Sequence, residues 1–132
     1  MITDYSLLFI DDYSPIKDLV DSIFVHRWER AYSRGILEKR LENYDLVLLD
    51  LDTGNQLQRD TIDEIRSRVS KERFYLTVKK HSDEKKIGSR IKEWNAGGYL
   101  VMPFEHEHVA GILRWISLGG DSQLPFLNSR MK

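Results

Sequence analysis

The sequence of 132 residues contains no cysteine. Disulfides, zinc–thiolate sites and thiol nucleophiles are thereby excluded. Charge of either sign is not in excess: Lys+Arg number 20 and Asp+Glu 21, a formal net charge of -1. No global field therefore draws the chain to nucleic acid or to an anionic bilayer. Long apolar runs are missing too, and none approaches the ~20 residues that a membrane span needs. The opening stretch, Met1 to Asp12, has no basic region and turns acidic early, which predicts a chain without a secretory leader. The glycine pairs Gly97-Gly98 and Gly119-Gly120 lack the strand-to-helix context of a phosphate-cradling loop.

What is present suffices for one domain with a real core, since 41% of the residues are hydrophobic. Four apolar runs read as buried strands: Ser6 to Ile10, Asp45 to Leu49, Phe74 to Val78 and Tyr99 to Val101. Their near-continuous apolar character suits a parallel sheet covered on both faces. A weaker, charged, alternating run from His26 to Tyr32 suits an edge strand. Helical spacing fills the gaps. Ile16, Leu19, Val20 and Ile23 predict a first helix begun by Ser14-Pro15. Ile36, Leu37 and Leu41 predict a short second. Ile62, Ile65 and Val69 predict a third, capped by Asp60 with Asp63 and Glu64 in its first turn. Ile87, Ile91 and Trp94 predict a fourth, capped by Ser82, and Val109, Ile112, Leu113 and Ile116 a fifth. Strand and helix alternating five times predict a flavodoxin-like (βα)5 doubly wound sandwich, a five-stranded parallel sheet flanked by five helices. Residues 1–118 form the expected domain, and 119–132, "GGDSQLPFLNSRMK", lose periodicity and read as a linker or tail.

In such folds ligands sit beyond the C-terminal strand ends. "LLFIDD" delivers Asp11 and Asp12 there, and "LVLLD" delivers Asp50. Three carboxylates on neighbouring strands would repel, raising at least one pKa. A bound Mg2+ would relieve that while keeping several waters.

"LLFIDDYSPI", "YDLVLLDL" and "AGGYLVMPFE" together resemble, in order and spacing, the three signature segments of response-regulator receiver domains. The resemblance spans about Leu7 to Leu118. It implies a regulatory, non-enzymatic domain of two-component signal transduction, in a cytoplasm with which the absence of cysteine is compatible. It implies Asp50 as the phosphoacceptor position, and Mg2+ held by Asp11, Asp12, Asp50 and the backbone carbonyl of Asp52. Tyr99 falls at the aromatic switch position, and Pro103 at a proline that often follows a cis peptide bond. A histidine kinase or another signalling protein is the implied partner. A homodimer through the fourth helix, fifth strand and fifth helix is implied as well, where Lys85, Lys86 and Arg90 suggest a basic patch. Membrane contact and direct nucleic-acid contact by this domain are not implied, although an attached output in transcription regulation is.

Two departures bear on the chemistry. Met102 stands where the family carries a lysine, and Lys79 or Lys80 stands where it carries Thr or Ser at the end of the fourth strand. Phosphoryl transfer to an aspartate relies on cations that absorb the moving charge. Losing one charge-assisted hydrogen bond removes about 1.5–3 kcal/mol of that support. The pattern predicts an atypical receiver that acts by protein contact with a degraded acceptor site. The alternative is a working acceptor in which Lys80 replaces the missing lysine. "DLDTG" also resembles the haloacid dehalogenase phosphatase motif, but Thr53 comes one residue early and the acidic pair comes first rather than late. "EHEH", Glu105 to His108, lacks the spacing of a helical metal site.

Overall fold

The computed structural model describes residues 5–14, 27–102 and 106–117. Its strands are β1 (Ser6–Ile10), β2 (Arg27–Ala31), β3 (Leu46–Asp50), β4 (Phe74–Lys79) and β5 (Gly98–Met102). Its α-helices are α1 (Leu51–Asn55), α2 (Arg59–Arg68), α3 (Glu84–Trp94) and α4 (His106–Ser117). The strands form one sheet in the order β2-β1-β3-β4-β5, every neighbouring pair parallel. That order is the flavodoxin-like one, with its reversal beside β1 and β3.

The continuous apolar runs follow from burial on both faces. Alternation sends Leu8, Ile10, Val47, Leu49 and Leu76 to one face, where they meet Ile62 and Ile65 of α2 and Ile87 and Trp94 of α3. It sends Leu7, Phe9, Leu48, Tyr75 and Leu100 to the other, against Val109, Ile112 and Leu113 of α4. β2 is the charged edge strand, its exposure alternating until Ala31 is buried. No helix among the described residues is long and apolar enough to cross a membrane.

Several local expectations are corrected. The second helix is replaced by two 3-10 turns, Ile36–Glu38 and Leu41–Asn43, because Lys39 takes an extended conformation (φ -79°, ψ 149°) between them. Ile36 and Leu41 are nonetheless buried, so the apolar spacing marked core positions on a backbone that is not α-helical. Asp45 does not open β3; its Oδ2 accepts from the Ser6 amide at 2.8 Å, and the strand runs on to Asp50. α2 begins at Arg59 with Gln58 as an N-cap that makes no side-chain bond. Asp60 is in its first turn, and Asp63 pairs with Arg66 at 3.6 Å. Asp83 rather than Ser82 caps α3, accepting from the Lys85 amide at 2.9 Å. Ser82 Oγ instead accepts from the Lys79 amide at 3.1 Å. α3 ends where Asn95 turns left-handed (φ 55°) and the Ala96 amide returns to the Ile91 carbonyl at 2.9 Å. The first predicted helix, Pro103 and the 119–132 tail lie outside the described residues.

α1 has no counterpart in the periodicity, and α3 packs closely on it. A Cβ on Gly54 would sit 2.7 Å from two ring atoms of Trp94, so the indole of α3 lies directly on this turn. Gly54→Ala should destabilise the fold by about 1–3 kcal/mol through that overlap. Adding Trp94→Leu should cost less in this background than in the wild type. Urea unfolding of the double-mutant cycle checks the coupling, and simple additivity would contradict it.

Candidate functional site

β1 and β3 are paired neighbours, so Asp11, just past β1, and Asp50, the last residue of β3, come side by side. Both are buried, at 1% and 2% exposure. Strand parity puts them on the face of Phe9 and Leu48, with Thr77, Lys79 and Met102 on the same side. Burial of acids demands partners. Asp11 Oδ1 accepts from the amides of Tyr13 (2.8 Å) and Ser14 (2.9 Å). The Asp11 backbone carbonyl accepts from Arg30 Nε (2.9 Å) and Nη2 (2.7 Å). Arg30 Nη2 also lies 3.8 Å from Asp11 Oδ1. Asp11 Oδ2 is buried with no hydrogen-bond partner among the described residues.

Asp50 is the N-cap of α1. Its Oδ2 accepts from the Thr53 amide at 3.0 Å and from Thr53 Oγ1 at 2.9 Å. Thr53 Oγ1 in turn accepts from the Asp12 amide at 2.9 Å. One fully buried hydroxyl thus joins the ends of β1 and β3. The Asp12 carboxylate is committed elsewhere, Oδ1 accepting from the Ser33 amide at 2.7 Å. Asp52 is exposed in the first turn of α1.

Desolvation pushes the Asp50 carboxyl above its ordinary value, and the negative charge of Asp11 pushes it further. The two Thr53 hydrogen bonds and the charge of Lys79 pull against this without overcoming it. Lys79 is thus the lysine felt at Asp50, consistent with its parity, while Lys80 occupies the turn after β4. In the β4–β5 register Lys79 stands directly opposite Met102. Lys79 is itself exposed at the end of β4. Thr77 is buried opposite Asp50 in the β3–β4 register. Tyr99 is buried on the opposite face among the residues packed by α3. Beyond the ends of β4 and β5 opens a cleft of about 590 Å3, lined by Ser14, Asp52, Lys79, Lys80, His81, Ser82 and Met102.

Of the expected metal ligands, Asp11 and Asp50 stand side by side at paired strand ends, Asp12 Oδ1 is bonded to the Ser33 amide, and Asp52 lines the cleft beyond β4 and β5. No group of three or more His, Asp or Glu side chains arranged for a metal occurs among the described residues. The unpartnered Asp11 Oδ2, beside a second carboxylate, does fit a hard cation that retains most of its waters. Of the expected basic patch, Lys85 and Lys86 are exposed. Arg90 is drawn toward α1, with Nε 2.8 Å from Asn55 Oδ1 and its guanidinium over the Trp94 ring.

Arg30, Ser33 and Thr53 were not picked out as site residues from the sequence. The Asp50-x-x-Thr53 spacing is a capping signature that identifies Thr53. Arg30 and Ser33 reach the site through tertiary contacts that no local pattern announces.

A raised folded-state pKa means that folding favours the protonated Asp50. Its contribution is fully present below the unfolded carboxylate pKa and is lost as pH rises through the folded one. Asp50→Asn keeps a capping acceptor and removes the buried charge. It should be more stable than the wild type near neutral pH, and this gain should shrink on acidification. Asp50→Ala should fall below Asp50→Asn by about 1 kcal/mol for the lost cap. Denaturant unfolding of the three chains across pH reads both effects, and a gain independent of pH would contradict the burial argument.

Neither protein-family models, nor curated proteins, nor solved structures match this chain.

Proposed function

We propose that the chain is an atypical receiver-like domain of the response-regulator type. In this reading it is a non-enzymatic, cytoplasmic signalling module that works by protein contact, its acceptor position serving as a structural cap. The single observation that carries the reading is the double hydrogen bond from Thr53 to Asp50 Oδ2, on a carboxyl that is 2% exposed and held above its ordinary pKa. A nucleophilic carboxylate must be ionised and open to attack; this residue is buried, its Oδ2 is held by Thr53, and its pKa is raised. The partner would be a histidine kinase or another signalling protein. A twin chain against α3, β5 and α4, and a downstream role in transcription regulation, belong to the same reading. Mg2+ would be held by Asp11 Oδ2 and Asp50, and when bound it would supply positive charge between the two carboxylates.

A second reading has one observation in its favour. Lys79 stands opposite Met102, and its charge reaches Asp50. A working acceptor would then use Lys79 rather than Lys80 as the second cation.

Incubation with acetyl phosphate and Mg2+, followed by intact-mass measurement, separates the two. The interaction-module reading expects no phosphoryl adduct, and beryllofluoride should not spread NMR shifts from the site to β4, β5 and α3. An adduct that is lost in both Asp50→Asn and Lys79→Met would establish the second reading instead.

A further inference from the structure

The contact between β2 and the end of β1 has a consequence for cations. From it we infer that Arg30 is a tethered counter-cation of Asp11 that competes with divalent metal for the acidic site. The Arg30 side chain is only 12% exposed. Its fork is spent on a neutral acceptor, the Asp11 carbonyl, through Nε at 2.9 Å and Nη2 at 2.7 Å. Its outer face is covered by the Tyr32 ring, 4.8 Å from Cζ. The guanidinium is therefore fixed by contacts that do not involve the carboxylate. Its charge still lies 3.8 Å from Asp11 Oδ1.

Charge compensation and coordination are thus separated at Asp11. The positive charge comes from Arg30, whereas Oδ2 is buried and has no hydrogen-bond partner among the described residues. A divalent ion reaching Oδ2 would enter the field of a fixed guanidinium a few ångströms away, in a site where screening is weak. Arg30 lowers metal affinity by repulsion, and metal binding weakens the hold of β2 on the end of β1. The two cations are linked reciprocally. The ion class is taken from the reading above; the competition itself rests on the Arg30–Asp11 geometry.

The test is a Mg2+ titration of the full chain, following the amides of Asp11, Asp12, Tyr13 and Ser14 by NMR, with unfolding temperature as a second readout. Arg30→Gln removes the charge and keeps a donor for the Asp11 carbonyl. Arg30→Met keeps the apolar stem over Tyr32 and serves should the glutamine chain not fold. Arg30→Lys keeps the charge. Removing the charge should tighten Mg2+ binding by about tenfold or more. It should also make the unfolding temperature rise more steeply with Mg2+, while Arg30→Lys stays close to the wild type. Equal affinity with and without the charge would overturn the inference, and so would a charge-free variant that binds no Mg2+ at the site. Phosphoryl uptake by the wild type would sink the interaction-module reading and leave the competition intact; equal Mg2+ affinities would do the reverse.

Discussion

Two carboxylates buried side by side at the ends of adjacent strands must be compensated, and the structure around them is arranged by that requirement. An isolated charge cannot be taken out of water without partners or loss of its proton. Asp50 meets the requirement by capping α1 through Thr53, and its burial raises its pKa. Asp11 meets it through two amides and the nearby Arg30. The Thr53 hydroxyl, bonded to both Asp50 and the Asp12 amide, makes the two solutions one structure. Loss of that hydroxyl would leave the Asp12 amide without its acceptor and Asp50 Oδ2 with the Thr53 amide alone, which is why its worth exceeds that of an ordinary surface hydrogen bond.

The sheet delivers this arrangement through parity. A parallel sheet buried on both faces leaves only its strand ends for polar chemistry. Every second residue shares a face, so Asp11, Asp50, Lys79 and Met102 are aligned before any loop is considered. The same rule takes Tyr99 to the opposite face, into the core beneath α3. A side chain packed at 7% exposure is held by its neighbours, and moving it would mean repacking the contacts around Ile87 and Trp94. The site and the buried tyrosine are therefore on different sides of the sheet.

The strands and the acids were legible in the sequence because their signals are local. A run such as Leu46 to Leu49 can satisfy its side chains only inside, and an aspartate directly after it must stand at a strand end. The helices around Ile62 and Ile87 were legible for the same reason. The two 3-10 turns were not, because Ile36 and Leu41 satisfy a helical spacing whether or not Lys39 is helical. α1 was missed because its five residues make no full amphipathic period. Arg30 could not be read as a site residue, since an arginine on a charged edge strand looks solvated until the fold brings it to the Asp11 carbonyl. The choice between Lys79 and Lys80 turned on a one-residue register; Lys79 is the exposed last residue of β4, opposite Met102, and Lys80 lies in the turn that follows.

Internal compensation also limits what a ligand can do here. A ligand shifts a conformational equilibrium only by its differential interaction with the two states. At an uncompensated acidic crevice, the first cation or phosphoryl group would relieve a large repulsion and could commit that energy to moving a loop. At this crevice the repulsion is already reduced by the Arg30 guanidinium 3.8 Å from Asp11 Oδ1 and by the Lys79 charge felt at Asp50. Asp12 is also tied to the Ser33 amide and would have to leave it to join a ligand. Each of these contacts lowers the gain and raises the cost of rearrangement. A ligand that binds these acids therefore has little energy to commit to a conformational change, which is the physical ground on which the proposed interaction-module reading rests.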